Sequence, residues 1–162
     1  FKPDGTYRFS SDGEPLDGKL DEIRIWKSAR TVTEIREDMH LIFNRSTKNL
    51  LNYWQFNSDT NQFVIDTVTG ISGKLHNMNT SSCWGYSTIP CGMGNSSTQI
   101  VKSSGLANFP SESVSLNITS IDNTDSITIT HINIAPNLLP ESNYQVVDTG
   151  YWVVSNFEKG AI

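Results

Sequence analysis

From Leu20 to Trp26 apolar and polar side chains alternate, with Asp21, Ile23 and Ile25 on one face and Leu20, Glu22, Arg24 and Trp26 on the other. Period-two alternation predicts a strand with two half-buried faces, on which Glu22 and Arg24 are neighbours able to pair. The period then changes. Thr31-Val32-Thr33-Glu34 is a capping box, in which the Thr31 hydroxyl and the Glu34 carboxylate each satisfy the other's backbone amide, so a helix starts here and runs toward Phe43. Val32, Ile35, Met39 and Ile42 form one apolar stripe along it, predicted to pack on a sheet, while Arg36, Glu37 and His40 face solvent. After the polar link 44–49, Leu50 to Asn57 returns to strand composition, dense in aromatic residues.

Residues 77–112 are poor in apolar side chains and rich in Ser, Thr, Asn and Gly, which predicts a loop or linker. Beyond it, Val114, Leu116 and Ile118 alternate with polar residues, and a turn at 122–125 leads to Ile127, Ile129, Ile132 and Ile134. These two stretches predict a hairpin, and the phase slip between Ile129 and Ile132 predicts a β-bulge near Thr130-His131. Pro136 and Pro140 interrupt the pattern; Tyr144 to Val147 and Tyr151 to Phe157 read as two more strands around Asp148-Thr149-Gly150. Residues 1–19 carry three turn signals, around Gly5, Gly13 and Gly18, and read as a hairpin or loop leading into the first strand.

The run Asp17-Gly18-Lys19-Leu20-Asp21-Glu22-Ile23-Arg24-Ile25-Trp26, continuing to Arg30-Thr31, resembles the closing strand and helix of laminin-G-like, concanavalin-A-like jelly rolls. Leu50 to Asn57, with Tyr53-Trp54 and Phe56, and Asp66 to Leu75, with Gly70 and Gly73, are similar to the segments that accompany that run in the family, although Asp66-Thr67-Val68-Thr69-Gly70 departs from its tighter turn. The resemblance covers roughly residues 17–76. It implies a mostly β chain: the C-terminal half of a jelly roll with one short helix over 1–82, a linker or disulfide loop over 83–112, and a second, partial β-sandwich over 113–162. A full jelly roll needs about a dozen strands, more than 80 residues supply, so the expectation is an N-terminal half lying upstream. The start at Phe1 fits a processed chain or an excerpt of a longer one. The closing Tyr151-Trp152 segment loosely resembles small sandwich modules of large bacterial surface proteins exported by the type IX route.

With 36% hydrophobic residues in 162, the chain can bury a core. A formal net charge of −5, with 12 scattered Lys and Arg, argues against a nucleic-acid partner, since phosphate binding needs clustered cations. The apolar runs are far shorter than the roughly 20 residues of a membrane span. Cys83 and Cys91 flank a loop containing Gly85 and Pro90; a disulfide between them is expected in an oxidising compartment, the alternative being two free thiols. His40, His76 and His131 lack the pairing that zinc requires and read as surface or edge residues. Asn44, Asn79, Asn95 and Asn117 head sequons, acceptors in a eukaryotic secretory chain and incidental in a bacterial one.

Catalysis is not expected. Retaining glycosidases of concanavalin-A-like fold hold two carboxylates about 5 Å apart, whereas Asp21 and Glu22 point to opposite faces of a strand; no nucleophile elbow or phosphate loop occurs. The resemblance implies Ca²⁺ at a sandwich rim, with Asp17, Asp21 and Asp66 as the candidate ligands, although no contiguous D-x-D-x-D-G loop is present. For ligand contact, Trp84 and Tyr86 are the aromatics least explained by strand periodicity, whereas Trp26, Tyr53, Trp54 and Trp152 read as core. The expected function is therefore adhesion or recognition by a secreted or cell-surface protein, with a glycan or a cell-surface protein as partner, no membrane insertion, and further contacts to the rest of its own parent chain. The alternatives are an accessory module of a secreted carbohydrate-active enzyme and an architectural spacer in an adhesin stalk.

Overall fold

The computed structural model describes residues 18–57, 62–121, 124–135 and 150–157. Asp17, the turn signals of residues 1–17 and the expected strand at 144–147 lie outside them. The protein is mostly β, the described residues forming several small antiparallel sheets and one α-helix.

The strand that the alternation over Leu20–Trp26 predicts is present as β1 (Ile23–Trp26), and it pairs antiparallel with β2 (Leu50–Trp54), with Arg24 opposite Tyr53. A bridge from Trp54 to Asp66 joins this ribbon to β3 (Phe63–Ile65), which pairs with β4 (Ser72–Lys74). Between β1 and β2 runs α1 (Val32–Asp38), started by Thr31, whose hydroxyl accepts from the Glu34 amide while the Glu34 carboxylate accepts from the Thr31 amide.

α1 is shorter and turned the other way from the expectation. It ends at Asp38 because the next residues change partner: Ile42 donates to the Gly92 carbonyl, Gly92 donates to that of His40, and Arg24 takes the carbonyls of Asp38 and Leu41. No residue of α1 is buried; the stripe of Val32, Ile35 and Met39 is exposed, Ile35 by 55%. His40, expected at the surface, is 7% exposed, its Nδ1–H donating to the Pro90 carbonyl at 2.8 Å. A satisfied imidazole is buried while aliphatic side chains are left out, because the capped helix must present its polar face to the Arg24 and Arg30 guanidiniums.

The second half centres on a three-stranded sheet in the order β5 (Gly94–Val101), β8 (Asp125–Ile132), β9 (Tyr151–Phe157). A ribbon of β6 (Gly105–Phe109) and β7 (Val114–Ile118), joined by a 3₁₀ turn at Pro110–Glu112, packs on it through Val101, Ala107, Phe109, Ile127 and Ile129, with Val114, Leu116 and Ile118 around them. Three expectations are corrected here. The supposed linker contains β5 and β6. β7 and β8 are not a hairpin, since β7 pairs with β6 and β8 with β5 and β9. And β8 carries no bulge: it pairs residue for residue with both neighbours. Its isoleucines change phase because the strand is central and buried on both faces, Ile127 and Ile129 on one and Thr128, Thr130 and Ile132 on the other.

The polar composition of β5 hid it, yet that composition suits its position. Ser96 and Thr98 meet Thr130 and Thr128 across the ladder at 2.9 Å each, so hydroxyls buried by the sheet satisfy one another. Trp152, expected in the core, is 45% exposed; its indole N–H donates to the Glu112 carbonyl at 2.7 Å and its ring stacks on His131 at 4.7 Å.

Candidate functional site

A cleft of about 400 Å³ opens between the strand entry 21–26, α1 and the loop that ends at Cys91. Its apolar lining is Trp26, Ile35, Met39 and Ile89; its charged lining is Asp21, Glu22, Arg24, Arg30 and Asp38. Each wall follows from the local folding described above. Alternation along β1 puts Arg24 and Trp26 on one side, Glu22 precedes the strand and is held to Arg24 by their ion pair, Arg30 sits in the turn before the capped helix, and one helical turn later Ile35, Asp38 and Met39 come round. The far wall is anchored at its end by the His40 to Pro90 and Ile42 to Gly92 hydrogen bonds, which bring Ser87, Ile89 and Cys91 to the cleft.

The charges occur as pairs. Arg24 meets Glu22 at 3.1 Å, and Arg30 meets both Glu34 at 2.8 Å and Asp38. The Arg24 guanidinium also lies 5.0 Å from the Phe43 ring centre and 5.1 Å from that of Tyr53, and Arg30 covers the Trp26 indole at 4.3 Å. Among the described residues, Arg24 Nε and Arg30 Nε are buried donors without a partner. Below the cleft the Tyr53 hydroxyl donates to Glu22. Burial, with Glu22 beside it, pushes the Tyr53 hydroxyl up to about 12. Burial likewise pushes the Asp38 carboxyl up, against the pull of Arg30, and raises the Cys91 thiol to about 11, with the Glu22 carboxylate adding to it.

The residues singled out by sequence distribute unevenly around this cleft. Tyr86 stands 98% exposed on the loop that forms the far wall, while Trp84 is half-buried, its indole N–H enclosed without a partner among the described residues. Cys83 and Cys91 are free thiols and not the expected bridge; Cys91 is turned into the cleft beside Glu22 and Arg24. Asp21 lines the cleft, and its Oδ1 accepts the Glu22 amide at 3.0 Å.

Asp66 lies elsewhere, 1% exposed, and its two oxygens accept from four donors: the backbone amides of Tyr53 and Val68, the Asn52 side chain and the Thr69 hydroxyl. A carboxylate offers about four lone-pair sites, so this set leaves none for Ca²⁺ and ties the 66–70 turn to β2 instead. Among the described residues no three His, Cys, Asp or Glu side chains gather as a metal-binding group.

Sequence reading missed Trp26, Arg30 and Asp38 as site residues. The available signal was spacing: Trp26 and Arg30 lie four residues apart, as do Arg30 and Glu34. No family model, curated protein or solved structure matches the chain.

Proposed function

We propose that this chain is a non-catalytic recognition segment of a secreted or cell-surface protein, laminin-G-like in its first part, and that its ligand, a glycan or a surface protein, seats in the cleft between β1 and α1. The observation that carries the reading is the lining of that cleft: apolar Trp26, Ile35, Met39 and Ile89 beside charged side chains held in fixed pairs. A concave site with a mostly apolar wall and a few placed polar groups is what binding sites present, and the exposed Val32, Ile35 and Met39 extend its apolar rim along α1. The Glu22 and Asp38 carboxylates are both engaged with guanidiniums, which suits holding a ligand better than moving a proton.

The test is binding of the immobilised chain to a glycan array and to solubilised surface proteins, compared with an Ile89→Arg variant that fills the cleft. Binding lost in the variant supports the reading. Binding unchanged by the variant places recognition on another surface, and no binding by the native chain leaves the spacer role.

A further inference from the structure

The charges that line the cleft do not balance. Asp21, Glu22 and Asp38 face the guanidiniums of Arg24 and Arg30, so one carboxylate is in excess, and Glu34, which also holds Arg30, adds a second just outside the lining. The cations are already engaged. Arg24 gives its terminal nitrogens to Glu22 and to the carbonyls of Asp38 and Leu41, Arg30 gives its own to Glu34 and Asp38, and the two side chains are only 10% and 21% exposed. Asp21 carries the excess: it is exposed, makes no ion pair among the described residues, and has its Oδ1 alone taken, by the Glu22 amide. Lys19, close by in sequence, lies against Gly85 instead.

An incoming molecule therefore meets net negative charge beside the apolar side chains of Trp26, Ile35, Met39 and Ile89. A basic side chain answers both, because its aliphatic stem covers apolar surface while its cationic tip stays at the wet end, where Asp21 is. An anion meets like charge, and a neutral apolar group strips water from Asp21 without replacing it. The whole chain, at a formal net charge of −5, pulls the same way over longer range. A cleft of about 400 Å³ lies near the small end of ligand sites, roughly 300–1,000 Å³, which suits one long side chain with its flanking backbone. Val32, Ile35 and Met39, exposed along α1, continue the apolar surface for the residues beside it. Resting on the recognition reading above, we infer that the cleft between β1 and α1 takes a lysine or arginine side chain of a partner protein, from a segment in which apolar residues flank it.

The experiment titrates the ¹⁵N-labelled full chain with capped peptides, Ala-Leu-X-Leu-Ala in which X is lysine, arginine, norleucine or glutamate, and follows amide chemical shifts; glucosamine serves as the non-peptide cation. The lysine and arginine peptides should shift amides of residues 21–26, 35–40 and 87–91 and bind about fivefold more tightly than the norleucine peptide, with the glutamate peptide weakest. Raising the salt to about 1 M, where the Debye length is about 3 Å, should shrink that preference. Asp21→Asn, which keeps the acceptor for the Glu22 amide, should abolish the preference and leave the affinity of the norleucine peptide as it was, so the variant also reports an intact cleft. Equal binding of the lysine and norleucine peptides, tighter binding of the glutamate peptide, or an Asp21→Asn variant that keeps the preference overturns the basic-side-chain assignment while recognition stands. Glucosamine moving the same amides at lower concentration than either basic peptide overturns the protein partner in favour of an amino sugar. If none of these probes moves the cleft amides while a ligand found by array does, the assignment again falls alone. If nothing moves them, recognition by the cleft falls with it.

Discussion

The Asp66 carboxylate accepts the backbone amide of Tyr53 at 2.9 Å across thirteen residues of chain, joining the centre of β2 to the turn that follows β3. Burial opposes ionisation of this group. The hydrogen bonds from Thr69, Asn52 and the amides of Tyr53 and Val68 outweigh it and hold the carboxyl well below the ordinary carboxylate range. A group with a depressed folded-state pKa contributes stability that is fully present above its unfolded value, about 3.9, and is lost as pH falls through the folded one. Unfolding free energy should therefore drop between pH 5 and the acid limit, and Asp66→Ala should remove about 3 kcal/mol at pH 7 and flatten that acid limb. Urea denaturation at a series of pH values checks both; an unchanged slope in the variant would assign the acid loss to another group.

Arg24 ties three segments together, donating to Glu22 and to the carbonyls of Asp38 and Leu41. Removing one member of a part-buried ion pair leaves the other charge partly uncompensated, so Arg24→Ala should cost about 2–3 kcal/mol, less than a fully buried pair would. Arg24→Lys should recover little of it, because an ammonium cannot reproduce the planar fork between the Phe43 and Tyr53 rings. Thermal melts of the two variants separate loss of charge from loss of geometry.

The exposed stripe of α1 gives a sharp contrast. Ile35→Ser should shift stability by no more than about 0.5 kcal/mol, as surface substitutions do. Ile129→Ala, at a side chain with no exposure inside the second core, should cost about 3 kcal/mol. Comparable losses at the two positions would mean that Ile35 is covered in solution.

Two glycines differ in what a side chain would meet. A Cβ on Gly94 would stand 1.8 Å from the His131 carbonyl oxygen, so Gly94→Ala should cost about 3 kcal/mol by forcing β5 away from β8. A Cβ on Gly73 would meet nothing closer than 3.7 Å, and Gly73→Ala should be neutral within about 0.5 kcal/mol. Denaturation midpoints of both variants decide it.

Cys91, with its thiol raised to about 11 chiefly by burial, should resist iodoacetamide at pH 8, because the thiolate is the nucleophile and its fraction there is small. Under denaturing, non-reducing conditions mass spectrometry should find both Cys83 and Cys91 alkylated, in keeping with free thiols. A mass two hydrogens short with no alkylation would establish the bridge.

What was legible from sequence is local. The Thr31–Glu34 capping box and the alternation that makes β1 follow from the residues themselves, because a cap or a strand period depends on neighbours within about four positions. The tertiary structure decided partners and faces. Nothing near α1 in sequence says that its carbonyls will be taken by Arg24 and its His40 by Pro90, and these contacts turned its aliphatic stripe outward. β5 looked like a linker because the partners of its hydroxyls, among them Glu112, Thr128 and Thr130, lie fifteen or more residues away, and β8 looked bulged because strand periodicity predicts one buried face whereas a central strand has two. The cleft is likewise non-local: strand, helix and loop each supply part of its wall, and only their packing brings the paired charges and the apolar floor together.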